Sequence, residues 1–371
     1  MNNYLNWYRD VEMRTAGRND VCRLMSSAMH EPIELLQQDL EELCGNAKTL
    51  ESLAWTSFGY SDLAARVAAR YGVDPHCVVT TNGVSNGVYL IYRALLLPRA
   101  HVVLESPVYE PLEATAQFIG AEISYVQRRP PDYAIDPDDL RRAMRPDTRL
   151  VILTNLHNPT GTLLSDEHLH QLARAATDIN PSVKIVVDEV YHDFVFATQR
   201  PAAALGERFI SVNSLTKVYG LGSLHCGWVI ADPATVETIR QLQVVIEGSY
   251  SRLLESLAVN IIERADDYLS WSLQTANHNR EMVRHYLDPF IRDGILEGAV
   301  SKHGCIWFPK ISLVNDSSRL VAKLAETRGV YIVPGRFFGQ PQHVRIGFGG
   351  PTEELATGLK ILVAALQDSI R

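Results

Sequence analysis

Paired cysteines are missing from this sequence. Its five cysteines, Cys22, Cys44, Cys77, Cys226 and Cys305, are scattered, and no C-x-x-C occurs. That spacing fits neither a disulfide framework nor a zinc ribbon, so no metal site is expected, and free thiols predict a reducing, cytoplasmic setting. Long basic runs are also missing. Lys+Arg number 35 against 43 Asp+Glu, a formal net charge of −8, which argues against nucleic acid as a partner. No apolar run approaches the ~18 residues of a membrane helix; the best, Val88 to Leu97, is interrupted by Arg93. The first residues lack a basic stretch followed by an apolar one, so no signal peptide and no membrane association are expected. Internal repeats and low-complexity segments are absent.

What is present is ordinary globular composition over 371 residues, 46% hydrophobic and 21% charged, enough for two domains. The middle of the chain alternates short apolar runs with amphipathic ones. Strands are expected at Val78–Thr81, His101–Glu105, Ile123–Gln127, Leu150–Asn155, Lys184–Glu189, Phe209–Asn213 and Gly227–Ala231. Several are nearly continuous Val/Ile/Leu, the pattern of strands buried on both faces. Ser61, Asp136 (with Pro137) and Ser165 can cap the intervening helices. This alternation predicts an α/β domain with a mostly parallel seven-stranded sheet covered by helices. After about Ser251 a long helical stretch runs to a break at Pro289. Isolated strands (Ile306–Ile311, Val330–Val333, Val344–Phe348) and two helices (Arg319–Arg328, Glu353–Gln367) follow. The expected division is an N-terminal arm at 1–45 packing with the small domain, a large domain at 46–255 and a smaller α+β domain at 256–371.

Two short motifs point to serine chemistry. Gly83-Val84-Ser85-Asn86-Gly87 matches the G-x-S-x-G nucleophile elbow, and Asp188 and His343 could complete a triad. A hydrolase of that fold needs several strands before its elbow, however, and the preceding residues read as helical. The other reading is a glycine-rich strand-to-helix turn whose backbone N–H groups hold a phosphate. Ser214-Leu215-Thr216-Lys217 matches S-x-x-K, but the S-D-N and K-T-G partners of that motif do not occur.

The same lysine belongs to a more coherent set. Asp188 ends an apolar strand, where a side chain points into the ligand crevice of an open α/β sheet, and burial there calls for a cationic partner. Tyr191 follows three residues later. Asn158 lies in a turn after another strand, and Ser85 and Ser214 accompany Lys217. An acid for a pyridinium nitrogen, an amine for an aldehyde and a phosphate cup are the fittings of pyridoxal phosphate.

The chain resembles the fold-type I pyridoxal-phosphate enzymes of the class I/II aminotransferase family. The resemblance covers roughly residues 50–350. It rests on Asn158-Pro159-Thr160-Gly161, Asp188-Glu189-Val190-Tyr191, Ser214-Leu215-Thr216-Lys217 and His343-Val344-Arg345-Ile346. It implies that Lys217 carries the cofactor covalently and later moves the Cα proton. Asp188 would keep the pyridine nitrogen protonated, Tyr191 and Asn158 would hydrogen-bond the ring's phenolic oxygen, and Tyr109 would stack on its face. The N–H groups near Val84, with Ser85 and Ser214, would hold the phosphate. Arg345 would fork onto the substrate α-carboxylate beside Asn158. A homodimer is also implied.

Two positions depart from the family pattern. His225 stands where relatives usually place a phosphate-contacting arginine, and the residue nearest a customary tyrosine before Gly59 is Trp55. The segment from Cys22 to Pro32 resembles the shorter arms of specialised members in natural-product biosynthesis. Aminotransferase is the expected activity on an α-amino acid. The alternatives are a C–S β-lyase or an oxidative or decarboxylating deaminase and, more remotely, a serine hydrolase using Ser85. Leu156, His157, Tyr219 and Tyr250 are candidates for lining the side-chain pocket.

Overall fold

The computed structural model describes residues 4–45, 62–248 and 251–370. Trp55, Gly59, Ser61 and Tyr250 lie outside the described residues. Two helices come first, α1 (Tyr4–Thr15) and α2 (Ile33–Gly45). The central sheet is built from β1 (Val78–Asn82), β2 (His101–Ser106), β3 (Glu122–Gln127), β4 (Thr148–Thr154), β5 (Lys184–Asp188), β6 (Phe209–Ser214) and β7 (Cys226–Ile230). Their spatial order is β1-β7-β6-β5-β4-β2-β3. Strands β2 to β6 pair in parallel, whereas β7 runs antiparallel to both β6 and β1.

Side chains alternate across each strand, so one sheet buries two cores. Val102, Leu104, Ile152, Val186 and Val212 face one side, beneath α4 (Gly83–Leu95), α5 (Glu110–Phe118) and α8 (Pro233–Ile246). Val103, Val151, Leu153, Ile185 and Val187 face the other, beneath α6 (Pro137–Ala143) and α7 (Asp166–Ile179). In chain order α3 (Asp62–Tyr71) comes between α2 and β1. The expected caps form: Asp136 accepts from the Asp138 N–H and Ser165 from the His168 N–H.

The C-terminal part comprises α9 (Arg252–Glu263), α10 (Ala265–Arg292), α11 (Ser318–Arg328) and α12 (Thr352–Ile370). Its short strands are β8 (Leu296–Glu297), β9 (Ile306–Trp307), β10 (Lys310–Ile311), β11 (Val333–Pro334) and β12 (Val344–Gly347). Two expectations are corrected here. The helical stretch breaks at Arg264, whose φ and ψ of −106° and 19° leave the helical region, and Pro289 lies inside the last turn of α10. A proline that close to a helix end removes only one late hydrogen bond. The run Ile306–Ile311 splits at Pro309: β9 joins β12 and β11, while β10 pairs with β8. Proline has no N–H for a ladder.

The N-terminal segment packs with both parts. Cys22 bridges Val330, and the Gly347 N–H donates to the Leu24 carbonyl at 2.7 Å. On the other side, Met29 N–H donates to the carbonyl of Lys217 at 2.9 Å. The approach to Gly347 is so close that a Cβ there would fall 1.7 Å from the Ser26 carbonyl oxygen. Among the described residues no helix is long and apolar enough to cross a membrane.

Candidate active site

The C-terminal ends of β4, β5 and β6 converge on one crevice. Asp188, the last residue of β5, lies in register with Thr154 of β4 and Val212 of β6. It is 4% exposed, and among the described residues its carboxylate accepts one hydrogen bond, from the Val190 N–H at 3.2 Å. Burial pushes its pKa up to about 7, against the pull of the Val190 N–H and the Lys217 charge. A carboxylate so placed lacks a cation in contact, and a protonated pyridine nitrogen would supply one. Lys217 follows β6 by three residues. Burial and the nearby Arg345 charge push its pKa down. Its amine has no hydrogen-bonding partner among the described residues. An unpartnered amine and an under-satisfied acid facing one crevice fit the aldehyde and ring of pyridoxal phosphate.

The turn that opens α4 is equally defined by close packing. A Cβ on Gly227 of β7 would lie 2.8 Å from the carbonyl carbon of Gly83, so only glycine admits this approach of β7 to the start of α4. Asn82, the residue before α4, makes no side-chain cap; its amide donates to Glu247 at 3.1 Å. The first-turn N–H groups near Val84 are thus left uncapped by that side chain, beside the exposed Ser85. His225 adopts a left-handed conformation with φ of +46°. Its Nδ1 lies 3.8 Å from the position a Cβ on Gly83 would take. His225 therefore stands beside the glycine turn that opens α4, where the resemblance implies an arginine. The Ser214 hydroxyl accepts from the Thr216 N–H at 3.2 Å, which holds the lysine loop.

Arg345 lies on β12 and is fully buried. Its Nη1 donates to the Asn158 side-chain oxygen at 2.9 Å. Its Nη2 donates to the Tyr4 hydroxyl and to the Met25 carbonyl, each at 3.0 Å. Its Nε is buried and has no partner among the described residues. Asn158 therefore turns its amide nitrogen away from the guanidinium. Tyr109 precedes α5, with its ring 6.0 Å edge-on from Tyr4. Tyr191 is buried, and its hydroxyl donates to the Ser27 carbonyl at 2.7 Å. The serine triad does not assemble. His343 Nε2 lies 3.3 Å from the Tyr133 hydroxyl, its Nδ1 has no partner among the described residues, and its ring stacks on Phe308.

The pocket candidates from the sequence divide. Leu156, His157 and Tyr219 are all buried. His157 is spent on structure, its Nδ1 at 2.7 Å from Thr160 Oγ1 and its Nε2 at 2.9 Å from the Pro107 carbonyl. The Tyr219 hydroxyl donates to Asp193.

Three groups around the site were not singled out by sequence. Glu105 and Arg128 form a wholly buried ion pair. Arg128 Nε donates to Glu105 at 2.7 Å, and the Thr154 N–H donates to the same carboxylate at 2.8 Å. The pair ties the ends of β2, β3 and β4 together just before the Asn158 turn. Asp193 gathers the Tyr71 and Tyr219 hydroxyls. The arm residues Tyr4, Met25 and Ser27 contact Arg345 and Tyr191. Partners up to 341 residues apart leave no local signal in a sequence. Among the described residues no group of three His, Cys, Asp or Glu could hold a metal ion.

The comparisons with known proteins agree with this geometry. Residues 30–362 match the family model for aminotransferase class I and II. Capreomycidine synthase of Streptomyces vinaceus is 33% identical over 308 residues, covering 82% of this chain and 78% of that protein. Histidinol-phosphate aminotransferase 2 of Ralstonia nicotianae is 27% identical over 316 residues, covering 84% and 79%. Among solved structures, the PLP-dependent cyclase OrfR superposes with a TM-score of 0.84 at 25% identity, covering 98% of this chain and 96% of that one. An aspartate aminotransferase of Thermus thermophilus shares the fold, with a TM-score of 0.83 at 20% identity over 97% and 96% of the two chains. With its crevice built for pyridoxal phosphate at the strand ends, the chain belongs to the aminotransferase class I and II family.

Proposed function

We propose that this protein acts on an α-amino acid by moving the Cα proton with Lys217, and that transamination is its reaction. One observation carries the reading. The buried, under-satisfied Asp188 and the unpartnered Lys217 face one crevice, with Arg345 and Asn158 beside them. Pyridoxal phosphate, when bound there, supplies an aldehyde for the amine and a protonated ring that draws electrons from Cα. Asp188 would hold the charge of the ring nitrogen. The start of α4, with Val84, Ser85, Ser214 and His225, would hold the phosphate. Tyr109 would cover one ring face, and Asn158 and Tyr191 would reach the phenolic oxygen. Arg345 would take the substrate carboxylate and so orient Cα towards Lys217 Nζ. The lowered pKa of Lys217 favours the neutral amine, which is the form that can accept a proton.

A second reading is favoured by the relatives. Capreomycidine synthase is 33% identical, and the OrfR cyclase superposes over nearly the whole chain. On that reading the same Cα proton transfer leads to loss of a group from Cβ and ring closure on the substrate. The test is an absorbance-monitored reaction with single amino acids and no keto acid. Stoichiometric conversion of the cofactor to its amine form, reversed by a keto acid, supports transamination. Repeated turnover with the cofactor spectrum restored supports elimination or cyclisation, and no reaction with any amino acid refutes both. We further propose a homodimer, supported by family habit and by the exposed apolar side chains Val244, Val245, Ile246 and Leu253 near the phosphate end. A cytoplasmic setting is supported by the scattered free thiols.

A further inference from the structure

Arg345 offers a carboxylate fewer donors than its position promises. A guanidinium has two faces that can grip a carboxylate with parallel N–H bonds: Nε with Nη2, and Nη1 with Nη2. Nη2 is common to both. Its two hydrogens are spent here, one on the Tyr4 hydroxyl and one on the Met25 carbonyl, each at 3.0 Å. Among the described residues, the free hydrogens are the one on Nε, which is buried, and the second on Nη1, whose first goes to Asn158. These two do not share a face. No two-pronged grip is therefore open while both partners of Nη2 stay in place.

The two partners differ in how easily they leave. The Met25 carbonyl is backbone, pinned on either side by the Gly347 N–H to Leu24 bond at 2.7 Å and the Met29 N–H to Lys217 bond at 2.9 Å. The Tyr4 hydroxyl is the tip of a side chain at the start of α1. Its backbone N–H donates to the buried Glu110 carboxylate of α5 at 2.5 Å, and its ring rests against Phe337 and Phe338 of the small domain. Because the hydroxyl lies on the ring axis, a turn of the Tyr4 side chain about its Cα–Cβ bond is what frees Nη2, and it leaves the arm backbone in place. Of the two oxygens on Nη2 among the described residues, the Tyr4 hydroxyl is the one carried on a side chain, and a substrate oxygen can take its place atom for atom.

We propose that Tyr4 is an internal competitor for the carboxylate-binding face of Arg345. A substrate carboxylate gains its two-pronged grip by displacing the Tyr4 phenol. Tyr4 thereby sets the threshold for carboxylate binding and couples it to the docking of α1 across the crevice. This inference rests on the reading of Arg345 as the carboxylate anchor.

The experiment is calorimetric titration of the cofactor-loaded protein with sodium propanoate, which has the carboxylate but no reacting amine. Tyr4→Phe keeps the ring and removes the competing oxygen. Its propanoate Kd is expected to fall about threefold to tenfold, the worth of one ordinary hydrogen bond. A Kd that is unchanged overturns the proposal. A Kd that rises also overturns it, since Tyr4 would then be donating to the carboxylate. Should Tyr4→Phe not fold, Glu110→Gln loosens the anchor of the Tyr4 backbone and carries the same test with the same outcomes. Arg345→Gln is the separate control. If that variant still binds propanoate, the anchor reading itself fails, whatever Tyr4 does.

Discussion

The hydroxyl of Tyr191 donates to the carbonyl of Ser27 at 2.7 Å, joining the strand-end tyrosine to the N-terminal arm. A phenol has one proton, so Tyr191 cannot give it to Ser27 and to an anionic ring oxygen together. Burial pushes its pKa well up, which keeps that proton in place. If the cofactor takes the bond, Tyr191→Phe should raise the dissociation constant for pyridoxal phosphate about threefold to tenfold, measured by equilibrium dialysis. An unchanged constant would mean that the proton stays with Ser27.

Much of this was legible in the sequence, for a physical reason. The parallel strands β2, β4, β5 and β6 are buried on both faces, so their apolar runs are nearly unbroken and their ends are sharp. Asp188 and Ser214 close those strands, and Asn158 and Lys217 stand just past them, where polar residues after an apolar run are conspicuous. The arm was legible as a helix-bearing segment but not as part of the crevice, because Tyr4 meets Arg345 across 341 residues. Glu105 read as the end of a strand; nothing local announced that Arg128, 23 residues later, would neutralise it. The helix breaks at Arg264 rather than at Pro289, because a proline in the last turn of a helix costs it little.

Asp188 makes the cofactor-free protein sensitive to pH. Its folded pKa of about 7 lies above the ordinary 3.8. Below 3.8 the group is protonated folded or unfolded and costs nothing. Between 3.8 and 7 the unfolded chain loses the proton first, so stability falls as pH rises, and above 7 the full cost remains. Asp188→Asn should therefore stabilise the cofactor-free protein by roughly 4 kcal/mol at pH 8 and leave it nearly unchanged at pH 3.5, in urea titrations at the two pH values. The same substitution should weaken cofactor binding, because the pyridinium partner is gone. Equal effects at both pH values would show that the carboxylate is not buried as a charge.

The Glu105–Arg128 pair should behave as a unit. Both side chains are wholly buried, so removing one leaves an uncompensated charge or an empty set of donors. Glu105→Leu should cost about 3–5 kcal/mol, and adding Arg128→Leu should recover part of that loss. A double-mutant cycle by urea denaturation of the loaded protein reads the coupling. Additive losses would mean that the two charges are satisfied independently, by Thr154 and by the Tyr133 and Thr154 carbonyls.

Asp193 positions the lysine loop from behind. The Tyr71 hydroxyl lies 3.0 Å from each of its oxygens, and the Tyr219 hydroxyl donates to it as well. Burial pushes both phenol pKa values well up, so both remain donors. Tyr219 is two residues beyond Lys217, and Asp193 is two residues beyond Tyr191. The acid thus links the strand-end tyrosine to the loop that carries the amine. Asp193→Ala strands two buried hydroxyls and should cost roughly 3 kcal/mol. Asp193→Asn retains one acceptor and should fall between that variant and the parent. Because the acid acts through Tyr219 on the placement of Lys217 Nζ, the asparagine variant should lose kcat, about tenfold, with KM for the amino acid little changed. Steady-state kinetics on the folded, loaded variant decide it. A rise in KM with kcat intact would place Asp193 on the side of substrate binding and leave the lysine loop held by Ser214 and Met29 alone.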